Sequence, residues 1–187
     1  MTAERDEQFA DYVAARLPSL RRLAFVLCQD WHRADDVVQA AITRLYVHWP
    51  RARAADNTDA YVRAIVVREF LSERRSSWSR QVTLSGDMPG GAAERAADST
   101  DPDAGLDLAA ALAALPPRQR ATLVLRFYCD LSVEESARVL GCTPGTVKSQ
   151  TAKALDALRR TLGPDAPPPS AGSPFAIRDS HWNGETA

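Results

Sequence analysis

Five residues close to the C-terminal end carry the most specific chemistry in this chain: Thr146, Lys148, Ser149, Gln150 and Lys153. At helical spacing they lie away from Val147, Thr151, Ala154, Leu155 and Leu158, which form an apolar stripe. The polar side is short and basic and holds no carboxylate before Asp156. Hydroxyls, an amide and ammonium groups on one helix can address base edges and phosphates in a DNA major groove. The plainer reading is a solvated helical hairpin whose lysines serve solubility. A second cluster interleaves Arg63, Arg68, Arg74 and Arg75 with Tyr61, Phe70 and Trp78. Arginines beside aromatic rings suit single-stranded nucleic acid, where phosphates pair and bases stack. The alternative places the rings in a core, and for Phe70 it is at least as good.

Other chemistries lack their residues. Cys28, Cys129 and Cys142 are odd in number and without a CxxC pair, which argues against a disulfide framework and against zinc. Buried, reduced thiols are the expectation. His32, His48 and His181 are equally scattered, so no metal cluster can be drawn. No Gly-rich phosphate loop and no catalytic constellation is present, which argues against a helical enzyme and implies no cofactor.

The elements that position the basic face are written around it. Ser132 followed by Glu135 reads as a capping box, and Ala137, Val139 and Leu140 supply an apolar side. Gly141 suits a left-handed helix stop. Thr143 then caps a second helix with Pro144 at its first position. Together, Leu131 to Arg160 reads as a helix-turn-helix. Upstream, helical spacing runs from Gln8 to Cys28, with a break or kink expected at Pro18. Asp30 caps a helix reaching Trp49, whose stripe is Ala34, Val37, Val38, Ala41, Ile42, Leu45 and Trp49. Asp35, Asp36, Gln39 and Arg44 project elsewhere on it. Pro50 to Asp56 reads as a loop carrying Arg51 and Arg53, and Asn57 or Thr58 starts a helix to about Ser76. Further helices run from Gly105 to Leu115 and from Pro117 to Tyr128. No β pattern occurs.

The fold expected is therefore all-α, with two small helical domains over 1–78 and 105–162. A flexible acidic linker fills 79–104 and a Pro-rich disordered tail 163–187. The 187 residues suffice for two such units, and 45 % apolar with 25 % charged is ordinary for a soluble globular protein. A formal net charge of -1 conceals segregation along the chain. From Arg118 to Arg160 eight basic residues face four acidic ones, whereas from Gln81 to Ala110 six acids face only Arg95. A basic module beside an acidic linker points to nucleic acid. The charged N-terminus is unlike a secretory signal, and no apolar run spans a bilayer, so a cytoplasmic location without membrane insertion is expected.

These features together resemble the extracytoplasmic-function (ECF) class of bacterial RNA polymerase sigma factors. Leu115 to Arg159, LPPRQRATLVLRFYCDLSVEESARVLGCTPGTVKSQTAKALDALR, is similar to that class's region 4, in the wording of its actinobacterial SigE-like group. Asp30 to Trp49, with ADDVVQ at Ala34 to Gln39, resembles region 2.2, and Tyr61 to Arg75 resembles regions 2.3 and 2.4. Ala40, Arg68, Ser72 and Gln150 depart from residues common in the class. The resemblance implies binding to core RNA polymerase, mainly the β′ clamp helices and also the β flap, through Asp35, Asp36, Gln39 and Arg44. It implies −35 promoter DNA contacts from Arg118, Arg120, Thr143, Thr146, Lys148, Ser149, Gln150 and Lys153. For the −10 element it implies Arg51, Arg53, Asn57, Tyr61, Arg63, Arg68, Arg74 and Arg75, with an unstacked base captured by the loop from Pro50 to Thr58. It further implies that the acidic linker threads a basic polymerase channel, and it allows an anti-sigma factor. The competing expectation is a stand-alone helix-turn-helix regulator that binds duplex DNA without polymerase.

Overall fold

The computed structural model describes residues 2–84 and 104–162, with side chains over 3–73 and 108–162. The expected tail and most of the expected linker lie outside these residues. All regular structure among the described residues is helical. Helix α1 covers Thr2–Cys28, α2 Trp31–Val47, α3 Trp49–Arg53 and α4 Thr58–Leu84. Then come α5 (Ala104–Ala114), α6 (Pro117–Leu123), α7 (Val133–Leu140) and α8 (Pro144–Leu162).

In the first body α1, α2 and α4 pack together around Leu23, Leu27, Val38, Leu45, Val62, Val66 and Phe70, all fully buried. Each such side chain contributes about 1.5–3 kcal/mol on leaving water. Asp30 starts α2 as expected, its carboxylate accepting from Arg33 N at 2.8 Å. Neither a break at Pro18 nor a plain loop from Pro50 is found. Helix α1 runs unbroken through Pro18, because Pro18 and Ala14 are both exposed and the carbonyl released four residues back can meet water. The stretch from Pro50 is not simply a loop: it opens with α3, nucleated by Pro50 in the first turn and anchored by buried Trp49 and Ala52. Helix α4 also extends to Leu84, into the first residues expected to be linker.

In the second body α8 packs on α5, α6 and α7 around Leu112, Leu115, Leu123, Leu125, Ala137, Val147, Ala154 and Leu158. Helix α6 widens into a π-helical turn at Val124–Tyr128, closed by Cys129 N donating to Val124 O at 2.9 Å. The two bodies are not separate in space. One apolar core runs through both, α1 meeting α5 and α6, and α4 meeting α6 and α7.

Candidate nucleic-acid interface

The turn between α7 and α8 has the predicted chemistry. Glu135 N donates to Ser132 Oγ at 3.1 Å, and Ser132 N donates to Glu135 Oε2 at 2.7 Å. The latter bond holds the Glu135 carboxyl below the ordinary glutamate range. Gly141 sits at φ 62°, ψ 44° with open space where a Cβ would stand, so glycine is needed for its backbone and not for room. Thr143 Oγ1 accepts from Thr146 N at 3.2 Å and lies 2.9 Å from Thr146 Oγ1.

From this cap α8 presents Thr146, Lys148, Ser149 and Lys153 to solvent, with Gln150 half-buried beside them. The hydroxyls are partly engaged at home: Ser149 Oγ donates to Thr146 O at 3.0 Å. Neither lysine has a partner among the described residues, and Asp156 pairs with Arg160 at 3.4 Å. The ammonium groups are thus free for an external anion. Arg118 is exposed and donates to Leu140 O at 3.3 Å, at the edge of the same turn. Arg120 is a correction. It is only 4 % exposed, donating to Leu27 O at 2.6 Å, Ala113 O at 2.6 Å and Leu115 O at 3.2 Å. Packed between the bodies, it does not stand on the DNA-facing side.

In the first body, Asn57 caps α4 through Ala60 N at 2.9 Å, and Arg51 is exposed beside it. Arg53 bonds Gln8. Tyr61 and Arg63 are half-buried. Arg68 is turned toward the second body, donating to Val139 O at 3.2 Å and Arg138 O at 3.4 Å. Phe70 is a core residue, 1 % exposed. The side chains of Arg74, Arg75 and Trp78 lie outside the described ones.

A cavity of about 320 Å³ opens beside α3, lined by Gln8, Tyr12, Trp49, Arg53 and Thr58. By sequence Arg53 is a candidate site residue and Thr58 ends the loop expected to capture a base, whereas Tyr12 and Trp49 read as core. Trp49 packs edge-on to Phe9, ring centres 5.4 Å apart, and its buried Nε1 has no hydrogen-bond partner. Tyr12 donates to Asp59 at 2.8 Å, and burial first, then that bond, push its phenol above the ordinary range. The opening is thus walled by aromatic rings, while the Trp49 Nε1 itself is enclosed. Trp49 was legible as core, but nothing in its spacing joins it to Gln8 and Tyr12, some forty residues earlier.

On α2, Asp36, Gln39, Ala40, Thr43 and Val47 form an exposed stripe. Asp35 is drawn to Arg21 at 2.6 Å, and Arg44 to Glu69 at 2.9 Å. Ala40, Thr43, Arg44, Val47, His48 and Glu69 line an open groove of about 470 Å³. Burial pushes the Cys28 and Cys129 thiols up to about 12. No cluster able to hold a metal, and no helix long and apolar enough to cross a membrane, occurs among the described residues.

The sequence pattern described as Sigma-70 region 2 matches residues 12–80, and that described as Sigma-70, region 4 matches residues 105–158. The RNA polymerase sigma-E factor of Streptomyces avermitilis is 34% identical over 160 residues, covering 83% of this chain and 85% of that protein. The ECF RNA polymerase sigma factor EcfG of Rhodopseudomonas palustris is 31% identical over 159 residues, covering 83% of this chain and 86% of that protein. Among solved structures, the sigma factor RpoE from Bartonella quintana, crystallised with the anti-sigma factor NepR, superposes with a TM-score of 0.64 at 28% identity. That match covers 83% of this chain and 97% of the other. With both regions matched on the two bodies just described, the chain belongs to the ECF class of the sigma-70 family of RNA polymerase sigma factors.

Proposed function

We propose that this chain binds core RNA polymerase and directs it to promoters by contacting the −10 and −35 elements. The observation that carries the reading is the exposed, carboxylate-free basic face of α8, on a body of the same chain as an exposed α2 stripe. Lys148 and Lys153 supply phosphate contacts, and Thr146, Ser149 and Gln150 address base edges, with Thr143 and Arg118 at the approaching backbone. Residues 105–162 then act as the −35 unit and 1–78 as the unit for polymerase and −10. Residues 79–104 would act as the acidic tether and 163–187 as the tail. Asp36 and Gln39 meet the β′ clamp helices, with Arg44 and the groove beside it extending that surface and Asp35 shaping it through Arg21. A second contact to the β flap falls to the −35 unit.

The cavity at α3 receives an unstacked −10 base. Flipping a base costs a few kcal/mol, which a preformed aromatic wall offsets. Arg51, Arg53, Asn57, Tyr61 and Arg63 line the approach, and Arg74 and Arg75 continue it along α4. Nucleotide chemistry belongs to the polymerase on this reading, and an anti-sigma factor is a further partner, as for the solved relative. The site of action is the cytoplasm, with the polymerase. Both matched regions are those of sigma factors, which speaks against the stand-alone regulator.

The Asp36→Lys/Gln39→Ala variant tests the polymerase half. It alters two exposed side chains, so it folds as the parent does, and it should lose most of its co-purification with core polymerase. Parental recovery would refute the α2 assignment.

A further inference from the structure

Helix α1 begins at Thr2, whereas the segment matched to Sigma-70 region 2 begins at residue 12. The leading turns of α1 are fastened to the end of α2. The Arg5 guanidinium stands over the Tyr46 ring, 5.4 Å from its centre, and donates to Tyr46 O at 3.3 Å. Tyr46 Oη in turn donates to Asp6 at 3.1 Å. Phe9 meets Tyr46 and Trp49 edge-on, with ring centres 5.2 and 5.4 Å apart. Edge-to-face rings and a cation over a ring are both attractive arrangements. Exposed Tyr46 is thereby the post to which α1 is tied.

Arg5, Phe9 and Tyr12 follow one face of the helix, and Gln8 stands four residues before Tyr12. The tie brings Gln8 to the rim of the opening beside α3. There its amide oxygen accepts from Arg53 Nη1. Arg53 is the last residue of α3, is exposed, and has no other partner among the described residues. A free arginine gives up side-chain entropy when it grips a ligand; one already held gives up less.

The polar groups around the opening are unequal. Tyr12 donates its proton to Asp59 at 2.8 Å, and Thr58 donates its own to Ala52 O at 3.1 Å. Both oxygens can therefore only accept from a guest. Arg53 keeps donors beyond the one given to Gln8, and the Gln8 amide nitrogen has only a 3.5 Å contact to Glu4. Those N–H groups call for a carbonyl oxygen. Cytosine, guanine and thymine carry one, and adenine does not.

We propose that the leading turns of α1 form one wall of this opening and that Gln8 is a positioning residue. It presents the Arg53 guanidinium to the carbonyl edge of an unstacked base, so adenine is disfavoured there. This rests on the assignment of the opening to a −10 base; the tie of α1 to Tyr46 does not.

Holoenzyme reconstituted with core polymerase tests it, on a promoter located by transcript sequencing. Non-template −10 positions are replaced one at a time by an abasic site, and open complexes surviving heparin are counted. The captured position is the one where losing the base weakens the parent most. There a carbonyl base should exceed adenine by about tenfold, the worth of one charge-assisted bond. Gln8→Ala should lower opening about fivefold on the carbonyl base and leave the abasic template unaffected. In an Arg53→Ala background the same change should do nothing, since no guanidinium is left to position. Gln8→Glu keeps the acceptor and should restore the base preference. Neither side chain is buried, so the free variants should melt as the parent does.

An equal effect of Gln8→Ala with and without Arg53, or on the abasic template, would make Gln8 merely structural and overturn the proposal. So would a parent that prefers adenine. If no abasic position weakens opening, the base pocket itself falls and the proposal with it. A parent that opens no promoter at all would refute the broader reading instead.

Discussion

At position 49 an indole N–H is buried with no hydrogen-bond partner among the described residues. Trp49→Ala should cost about 3–5 kcal/mol as a core aromatic, and Trp49→Phe clearly less, because the unsatisfied donor leaves with the lost ring. Urea unfolding compares the two, and a neutral Trp49→Ala would remove the indole from the core. The cysteines give a second residue-scale test. Cys28 and Cys129 are buried, with their thiols pushed up to about 12, so neither supplies thiolate at pH 8. Iodoacetamide should modify half-buried Cys142 first and the other two only on unfolding, as mass spectrometry of timed samples would show. The sign of the linkage follows from the same values. Stability from the two neutral thiols is complete below about pH 9 and is lost as pH rises toward about 12. At this scale the sequence announced the polar residues of α8, whose spacing alone puts them on one face. It misplaced Arg120, because a pattern of charges does not say which guanidinium a second body will enclose.

Among the elements, the turn from α7 to α8 was readable to the residue, since capping box, glycine stop and proline start are local chemistry. Its energetics are equally local. Ser132→Ala should cost about 1 kcal/mol by removing the acceptor for Glu135 N, and Gly141→Ala about 1–2 kcal/mol through its positive φ. Chemical denaturation reads both, and a neutral Gly141→Ala would contradict the left-handed stop. Because Glu135 titrates below its ordinary value, the box contributes stability above that ordinary pKa and loses it as pH falls through the folded one. The deficit of Glu135→Ala should accordingly shrink in acid. Longer-range elements were less legible. A proline in an exposed turn does not break α1, and α3 forms because Trp49 and Ala52 find a core that local spacing does not reveal.

Over the whole molecule, sequence indicated two helical bodies and a family but could not show how the bodies meet. Their contact is made by main-chain carbonyls and by apolar side chains that each body's own periodicity already accounts for. Such a contact leaves no trace in composition. The decisive measurement is 5′-end sequencing of transcripts made by purified core polymerase on genomic DNA, with and without this protein. With it, a new set of start sites should appear, sharing two upstream sequence elements. The Lys148→Glu/Lys153→Glu variant should abolish these starts while core binding persists. Start sites identical with and without the protein would contradict promoter recognition by this chain.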